Sequence, residues 1–397
     1  MRALILSLGM LVAMVGGEVI AVESQPMQEF QLPEGMSAIQ DLAVDTASGD
    51  VWFVEKVGRQ LGRFHLADQT FATHSLPEAW GDVGFATMTR GPDGTLWFTV
   101  NRGVQVVEET HYLGAFDPTK GVFSQHPLPP GSAPEALQVA LDGVVWFLDP
   151  DANSVRAYDP RDQSLRDFAI PTPHAQPRGI ALARDGLVWF SEPNINRIGK
   201  LDPKSGEVTE YDIPTPFANP GAITVDGRGL VWFVEMTSNR LGLFYPDLER
   251  FDEAEIPTPR GLPVALAADQ ENRIWISELR GNQMTRFDPA EATFTSVAVP
   301  TFNSLPGEIS LDLERQRLWF SESATEAKKL GMLNIGVDQV PGVAELNAAE
   351  AESTTAQKET LKGTDSKSTL YLGLILLVIL GAVTALALKN PWRGAPK

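Results

Sequence analysis

The sequence predicts an all-β fold, a seven-bladed β-propeller of four-stranded blades closed by its N-terminal strand. Seven tryptophans recur along the chain, each followed by an apolar residue, which is phenylalanine in six cases and Ile276 in the other. Repeats of roughly 40–50 residues that contain no helical pattern are typical of propeller blades. The tryptophans are Trp52, Trp97, Trp146, Trp189, Trp232, Trp275 and Trp319, with successive spacings of 45, 49, 43, 43, 43 and 44 residues.

One repeat, residues 176–216, shows why each unit predicts four short antiparallel strands, A to D. Turn signals at 185–186, 193–196 and 203–206 separate four runs that are rich in apolar and β-branched residues. The run 187–190 is apolar at every position, which is typical of a strand buried on both faces. Strand B is therefore expected to pack between two neighbouring blades.

The ends of the D strands predict how the ring closes. The last repeat, 319–335, has strands A to C but no strand D, whereas the first D-type run, 30–33, precedes any strand A. We therefore expect the N-terminal strand to complete the last blade, which would cover the sheet edges. Each strand D ends in an apolar residue before proline, namely Leu32, Leu76, Leu128, Ile170, Ile213, Ile256 and Val299.

The two ends of the chain predict export and a membrane anchor. An apolar run after Arg2 is typical of a secretory signal peptide, and about twenty uncharged residues near the other end are long enough to span a bilayer as a helix. The basic tail after that helix should stay cytoplasmic. The chain thus predicts a single-pass protein with its propeller outside the cytoplasm, periplasmic or at the cell surface. The predicted parts are a signal peptide (1–21), the propeller (22–337), a flexible linker (338–368), a transmembrane helix (369–388) and a cytoplasmic tail (389–397).

Composition excludes several classes of site and partner. The chain has no cysteine, which excludes thiolate metal sites and thiol nucleophiles. Its net charge of −19 argues against binding to nucleic acid or docking on anionic lipid. The expected partners are a small molecule or a protein at the propeller face, and the membrane only through the C-terminal helix.

Strand A begins and strand B ends at the same face of a propeller, so their side chains surround the mouth of the central channel. The end of strand B is acidic in six of seven repeats. Such carboxylates could bind Mg²⁺ or Ca²⁺, with Glu192, Glu235 and Glu278 as the candidate ligands. Alternatively, each could accept hydrogen bonds within its own blade, for example from the following pair Asn196-Arg197. The seven residues are Glu55, Val100, Asp149, Glu192, Glu235, Glu278 and Glu322.

The start of strand A places one side chain per blade at the channel, which we call the channel position. Arg178 could clamp an anion there, with Glu135 as a second ligand-binding residue, although a salt bridge from Arg178 to Glu135 or Glu192 is the alternative. The seven channel positions hold Gln40, Ala86, Glu135, Arg178, Gly221, Val264 and Gly307.

Two histidines are the candidate catalytic residues. His174 lies in the loop that enters blade 4, and His111 lies in a blade 2 loop about seven residues longer than its counterpart in blade 4. That longer loop also carries Glu108 and Tyr112, so it could be a lid or a recognition element. A solvated surface role is the alternative for both histidines.

The repeat Pro-x-Gly-Ile…Asp-Gly-x-Val-Trp-Phe-x-Glu…Asn-x-Ile-Gly…Ile-Pro-Thr-Pro resembles that of the virginiamycin B lyase (streptogramin B lyase) family over residues 28–336. The resemblance implies a seven-bladed propeller that linearises a cyclic depsipeptide by eliminative C–O cleavage. It also implies Mg²⁺ held by glutamates of the ring face, here Glu192 and Glu235. The family's histidines, for substrate binding and general base catalysis, would stand at channel positions, where this chain has none.

Two functions from different classes follow. The first is a membrane-tethered propeller that binds a ligand or a protein partner at its channel mouth. The second is a Mg²⁺-dependent lyase, or a lactone or ester hydrolase, in which His111 or His174 replaces the missing base. A purely structural role is a third possibility.

Overall fold

The structure is a computed structural model. It describes residues 27–81, 83–102 and 112–336, together with the backbone of two short paired strands, β1 (Ala13–Val15) and β2 (Glu18–Ile20). The predicted linker, transmembrane helix and cytoplasmic tail lie outside the described residues, as does most of the predicted signal peptide. None of the helices in the described ranges is long and apolar enough to cross a membrane.

The described residues confirm seven antiparallel four-stranded blades. Blades 1 to 6 follow the order of the chain, from strand A beside the channel to strand D at the outside. Blade 1 has β4 (Ile39–Val44), β5 (Val51–Glu55), β6 (Gln60–His65) and β7 (Thr70–Ser75), and blade 2 has β8 (Val83–Arg90), β9 (Leu96–Arg102), β10 (Tyr112–Asp117) and β11 (Val122–Pro127). Blade 3 has β12 (Leu137–Val139), β13 (Val145–Asp149), β14 (Ser154–Asp159) and β15 (Ser164–Ala169), and blade 4 has β16 (Ile180–Leu182), β17 (Val188–Glu192), β18 (Arg197–Asp202) and β19 (Glu207–Asp212). Blade 5 has β20 (Pro220–Val225), β21 (Val231–Glu235), β22 (Arg240–Tyr245) and β23 (Arg250–Glu255), and blade 6 has β24 (Pro263–Ala268), β25 (Ile274–Glu278), β26 (Gln283–Asp288) and β27 (Thr293–Ala298). Single 3₁₀ turns occupy Glu78–Trp80 and Pro193–Ile195.

Blade 7 confirms the predicted closure of the ring. It takes strands A to C from β28 (Pro306–Asp312), β29 (Arg317–Glu322) and β30 (Lys329–Asn334), and strand D from β3 (Met27–Gln31). The two ends of the propeller sequence therefore share one sheet, with Met27 paired to Leu333 and Phe30 to Leu330.

The hydrophobic core lies between blades, which explains the apolar B strands. Every residue of β17 is buried, whereas the outermost strand of the same blade, β19, is partly or fully exposed along its length. One core cluster joins Trp189 and Ile213 of blade 4 to Val231, Phe233 and Phe244 of blade 5. Burial of large side chains against the adjacent blade is what holds the blades to one another.

A glycine of strand C lies against the phenylalanine ring of strand B in five blades. A Cβ atom added to Gly199 would lie 2.2 Å from the ring of Phe190, so no side chain fits there. In blade 6, Ile276 replaces the phenylalanine, and its partner in the strand C register is Thr285. The glycines are Gly62, Gly114, Gly199, Gly242 and Gly331.

An asparagine after strand B holds the linker that leads from strand D to the next blade. Asn196 has a left-handed φ of 59°, and its Nδ2 donates hydrogen bonds to the carbonyls of Ile213 (3.1 Å) and Thr215 (3.0 Å). Its Oδ1 accepts a hydrogen bond from the amide of Ala218 at 2.7 Å. The linkers at the mouth of the channel are thereby fixed by side chains of the preceding blade.

Candidate functional site: the central channel

Each strand A contacts the strand A of the next blade, so the seven A strands enclose a central channel. A cavity of about 630 Å³ occupies this channel. Among the described residues that line it, Asp41, Glu135, Arg178 and Glu308 are charged. Polar recognition in this cavity depends on how these four groups are placed and paired.

Arg178 and Glu135 lie where the sequence predicts them, at the channel positions of neighbouring blades. Both side chains are exposed to the channel rather than to the outer surface. Within the described part of the chain no carboxylate lies within ion-pair distance of Arg178, so the alternative of a salt bridge to Glu135 or Glu192 does not form. The surrounding protein raises the pKa of Glu135, and the charge of Arg178 partly opposes this rise.

Asp41 and Glu308 also line the channel. The sequence did not predict them as site residues, because neither stands at a channel position. Each follows the channel position of its own blade by one residue, and blades 1 and 7 are neighbours through β4 and β28. The corresponding residues of blades 3 to 6 are small: Ala136, Gly179, Ala222 and Ala265. An acidic residue at a position that is small elsewhere in the repeat is the sequence signal that could have revealed them.

The acidic residues at the ends of the B strands are buried inside their blades and do not surround the channel. Glu192, Glu235, Glu278 and Glu322 have no exposed surface, and Glu55 is 3% exposed. Their position inside the blades agrees with the alternative of a role within the blade, but both carboxyl oxygens of Glu192 and of Glu322 lack a conventional hydrogen-bond donor among the described residues. The predicted donor is different, because the asparagine bonds the linker and the arginine contacts strand D.

Blade 4 shows how such a carboxyl group is accommodated. Glu192 lies beside Glu210 of strand D, and burial followed by the charge of Glu210 raises the pKa of Glu192 to about 8. Glu210 in turn accepts hydrogen bonds from the amide (3.1 Å) and hydroxyl (2.7 Å) of Thr172, in the linker from blade 3. At neutral pH a proton held by Glu192 supplies the donor that two adjacent carboxyl groups need.

The same pairing recurs in two further blades. In blade 7, burial followed by the charge of Glu29 raises the pKa of Glu322 to about 8. In blade 5, burial raises the pKa of Glu235 to about 7, with Glu253 as the neighbouring carboxylate and the Ser238 hydroxyl donating at 2.6 Å. These pairs bind linkers of the preceding blades, so their role is in packing between blades.

In blades 3 and 6 the buried acid at the end of strand B is paired with a donor side chain and not with a second carboxyl group. Asp149 in blade 3 forms a 2.5 Å ion pair with Arg156, which stands where blade 4 has a glycine. In blade 6, Glu278 accepts hydrogen bonds from the Thr285 hydroxyl and from Nε2 of Gln283. The buried acids thus differ between blades in their partners, although their positions in the repeat are equivalent.

The carboxylates predicted to bind Mg²⁺ or Ca²⁺ do not converge. Glu192, Glu235 and Glu278 each sit inside a separate blade, and no three acidic or histidine side chains of the described residues are grouped closely enough to hold a metal ion. A cation that needs several oxygen ligands at once does not fit this arrangement.

His174 lies on the rim of the channel face. Its side chain is exposed, its φ is 61°, and its carbonyl accepts a hydrogen bond from Asn194 at 3.3 Å. Phe217 and Arg260 occupy the same place in the next two linkers, with φ of 57° at both, and Phe217 is 85% exposed. Bulky residues in this conformation are uncommon, so these linkers present side chains at the mouth at some cost in backbone energy.

The remaining predicted residues lie apart from the channel lining or outside the described residues. Tyr112, at the start of β10, packs edge-on against Trp80 with ring centroids 5.4 Å apart, and burial raises its pKa. His111 and Glu108 fall in the segment that the structure does not describe.

Comparisons with known proteins agree with this fold. Residues 25–333 match the virginiamycin B lyase family. The chain is 27% identical to selenomethionine-substituted virginiamycin B lyase from Staphylococcus aureus, covering 78% of this chain and 98% of that chain with a TM-score of 0.68. The sequence identity, the two coverages and the TM-score are the same for a catalytically inactive histidine-to-alanine variant of that enzyme with quinupristin. A streptogramin B lyase structure is 26% identical to this chain, and the match covers 78% of this chain and 97% of that chain with a TM-score of 0.68. No protein with a curated description matches the sequence.

Proposed function

Because this chain belongs to the virginiamycin B lyase family, we propose that it also uses the channel face of its propeller, as a binding site for a small molecule or a protein segment. The cavity of about 630 Å³ has the size of a small-ligand pocket, and charged side chains line it. The proposed function is binding rather than bond cleavage.

The main observation in favour of a binding site is the placement of Arg178. It is a cation exposed in the channel and has no ion-pair partner among the described residues. An arginine in such a place is suited to a planar anion, because its guanidinium group can donate two parallel hydrogen bonds to a carboxylate. We therefore assign Arg178 as the clamp for a carboxylate of the ligand, with Glu135 beside it in blade 3.

The residues at the channel positions favour binding over elimination. Removal of a proton next to a carbonyl needs a base, and none of the seven channel positions holds histidine. Arg178 stays protonated at ordinary pH and cannot act as that base. The enzymatic alternative would have to recruit His174 from the rim or His111 from the blade 2 loop. A role for Mg²⁺ or Ca²⁺ stays a prediction that the buried glutamates do not favour.

We propose further that the propeller is displayed outside the cytoplasm on a single membrane helix. The apolar N-terminal run and the uncharged segment 369–388 support this arrangement. Protease treatment of intact cells that express the chain tests it. The propeller should be degraded from outside while an epitope placed after residue 397 is protected.

Binding of a carboxylate peptide to the full-length chain tests the clamp. We expect acetyl-Gly-Ala to bind, and its C-terminal amide to bind about tenfold more weakly, because a charge-assisted contact is lost. Ligand-observed NMR measures both affinities. Arg178→Gln should weaken the acid by a similar factor and leave the amide unchanged. Arg184→Gln, in an exposed turn of the same blade, is the matched control and should bind as the wild type does.

Incubation with quinupristin separates binding from catalysis. We expect no linear product by chromatography, with or without added MgCl₂. Linearisation that His174→Ala abolishes would establish the enzymatic alternative. If acetyl-Gly-Ala and its amide bind equally, Arg178 is not a carboxylate clamp.

A further inference from the structure

Two carboxyl groups meet in the wall of the channel that lies across from Arg178. Asp41 and Glu308 come from adjacent blades, 1 and 7, because closure of the ring brings β4 next to β28. In a ring of seven blades, blade 4 lies opposite the junction of blades 7 and 1, and blade 4 carries Arg178. The channel therefore has an acidic pair on one wall, and on the other wall it has Arg178 with Glu135 of blade 3 beside it.

Asp41 is held in a fixed orientation. Its Oδ1 accepts a hydrogen bond from the amide of Leu42 at 2.7 Å, and its Oδ2 accepts one from the amide of Met88 in blade 2 at 2.8 Å. These contacts anchor the carboxyl group between two blades, and its remaining lone pairs are available on the channel side, since Asp41 lines the cavity. A preorganised acceptor binds a donor with little loss of side-chain entropy.

Glu308 has no such anchor. Its side chain is exposed to the channel, and it accepts no hydrogen bond from a donor of the described residues. Burial, followed by the nearby charge of Glu308, raises the pKa of Asp41. Burial also raises the pKa of Glu308 to about 7, and the charge of Arg178 across the channel partly opposes this rise. A bound cation would relieve the repulsion between them, since an opposite charge favours the ionised form of each.

Small residues line the channel between the two walls. At the positions that correspond to Asp41 and Glu308, blades 3 to 6 have Ala136, Gly179, Ala222 and Ala265, and blade 2 has Thr87. With Glu135 included, the described lining holds three carboxyl groups and one arginine, so it offers more acceptor groups for a cationic ligand than for a second anion.

We propose that the channel binds a ligand with two charged groups, a guanidinium or ammonium group held between Asp41 and Glu308 and a carboxylate held by Arg178. A short peptide with a basic side chain and a free C-terminal carboxylate has this chemistry. The inference rests on the proposed binding function and adds to it a second recognition point on the opposite wall.

Three matched peptides test the inference on the full-length chain, again by ligand-observed NMR. Acetyl-Gly-Arg carries both groups, acetyl-Gly-Arg amide only the cation, and acetyl-Gly-Ala only the carboxylate. We expect acetyl-Gly-Arg to bind about tenfold more tightly than either of the others, because each lacks one charge-assisted contact. Glu308→Gln, a substitution of similar shape, should abolish the advantage of arginine over alanine and leave the binding of acetyl-Gly-Ala unchanged.

Two further variants make the outcome specific. Glu314→Gln removes an equal charge from an exposed turn of blade 7 and should preserve all three affinities. Asp41→Asn should also abolish the advantage of arginine, but its thermal midpoint should fall, because an amide nitrogen cannot accept one of the two backbone hydrogen bonds that hold Asp41. Unchanged thermal midpoints for Glu308→Gln and Glu314→Gln would show that these two proteins are folded.

Several results would overturn the inference, and they separate it from the proposed function. If acetyl-Gly-Arg binds no better than acetyl-Gly-Ala while Arg178→Gln weakens both, the carboxylate clamp stands and the cation site is wrong. If no peptide binds, both are wrong. If CaCl₂ alone raises the thermal midpoint of the wild type but not that of Glu308→Gln, the acidic pair is a metal site, and the peptide proposal fails.

Discussion

At the scale of single residues, the way in which the buried acid at the end of strand B is stabilised differs between blades and depends on the side chain beside it. The same sequence position holds a carboxyl group that shares a proton with another carboxyl in blade 4, forms an ion pair with Arg156 in blade 3, and accepts neutral hydrogen bonds in blade 6. Each solution avoids an isolated buried charge, which would be costly. In blade 4 this arrangement raises the pKa of Glu192 to about 8.

The carboxyl pairs predict a fall in stability as pH rises. The pKa of Glu192 is raised to about 8, that of Glu322 to about 8 and that of Glu235 to about 7, so the folded state holds protons that the unfolded chain releases. Their contribution is present below the unfolded pKa, near 4.5, and is lost as pH rises through the folded values. We expect the thermal midpoint to fall between pH 5.5 and pH 8.5, by about 2 °C or more per pair.

Glu192→Gln tests this dependence, because an amide can donate to Glu210 without titrating. The variant should match the wild type near pH 5.5 and exceed its midpoint at pH 8.5. Glu207→Gln, an exposed substitution in the same blade, should leave the pH profile as it is. Equal slopes for the wild type and Glu192→Gln would show that the pair does not share a proton.

At the scale of the strands, the close contact between strands B and C limits which residues can face each other. The ring of Phe190 on strand B covers Gly199 on strand C, and four other blades have the same pair of phenylalanine and glycine. Blade 6 instead combines Ile276 on strand B with Thr285 on strand C. The smaller side chain on strand B leaves room for a side chain on strand C. The two positions therefore change together for a steric reason, and the Thr285 hydroxyl gained in blade 6 supplies a donor to Glu278.

This contact predicts a coupled pair of substitutions. Gly199→Ala should lower the free energy of unfolding by about 1–3 kcal/mol, because its methyl group overlaps the ring of Phe190. Phe190→Ile should also destabilise the protein, but the double variant should lose less than the sum, with a coupling of about 1 kcal/mol. Urea unfolding measures all three. Phe190→Ile combined with Gly331→Ala, in distant blade 7, is the control and should be additive.

At the scale of the whole molecule, the ring is closed by contacts between residues from the two ends of the propeller sequence. Strand β3 buries Met27, and Glu29 receives hydrogen bonds from the amide of Thr301 (2.8 Å) and from Nζ of Lys329 (2.8 Å). The same closure places Asp41 beside Glu308, so the proposed cation site depends on it.

Removal of the closing strand should therefore destabilise the entire propeller. A chain that begins at residue 33 exposes the edge of β30 and loses the burial of Met27 and Phe30. We expect its thermal midpoint to fall by about 10 °C or more relative to a chain that begins at residue 25. Equal midpoints for the two chains would mean that β3 does not hold the ring together.

The sequence by itself determined the number of blades, the order of their strands and the strand that closes the ring. These features follow from local signals that recur in every unit, such as the turn before Leu187 and the proline after Ile213, and local signals can be read without knowing the packing. Arg178 and Glu135 were also predictable, because counting back from each tryptophan places them at the channel.

Only the tertiary structure decided which acidic residues face a ligand. Glu192 occupies a repeated position that resembles a ring of exposed ligands, yet its side chain is fully buried in the blade, beside Glu210 of strand D. Asp41 and Glu308 lie near opposite ends of the propeller sequence and become neighbours only when the ring closes. The direction of a side chain and the identity of its partner from another strand depend on packing between distant segments, and such contacts leave no local pattern in the sequence.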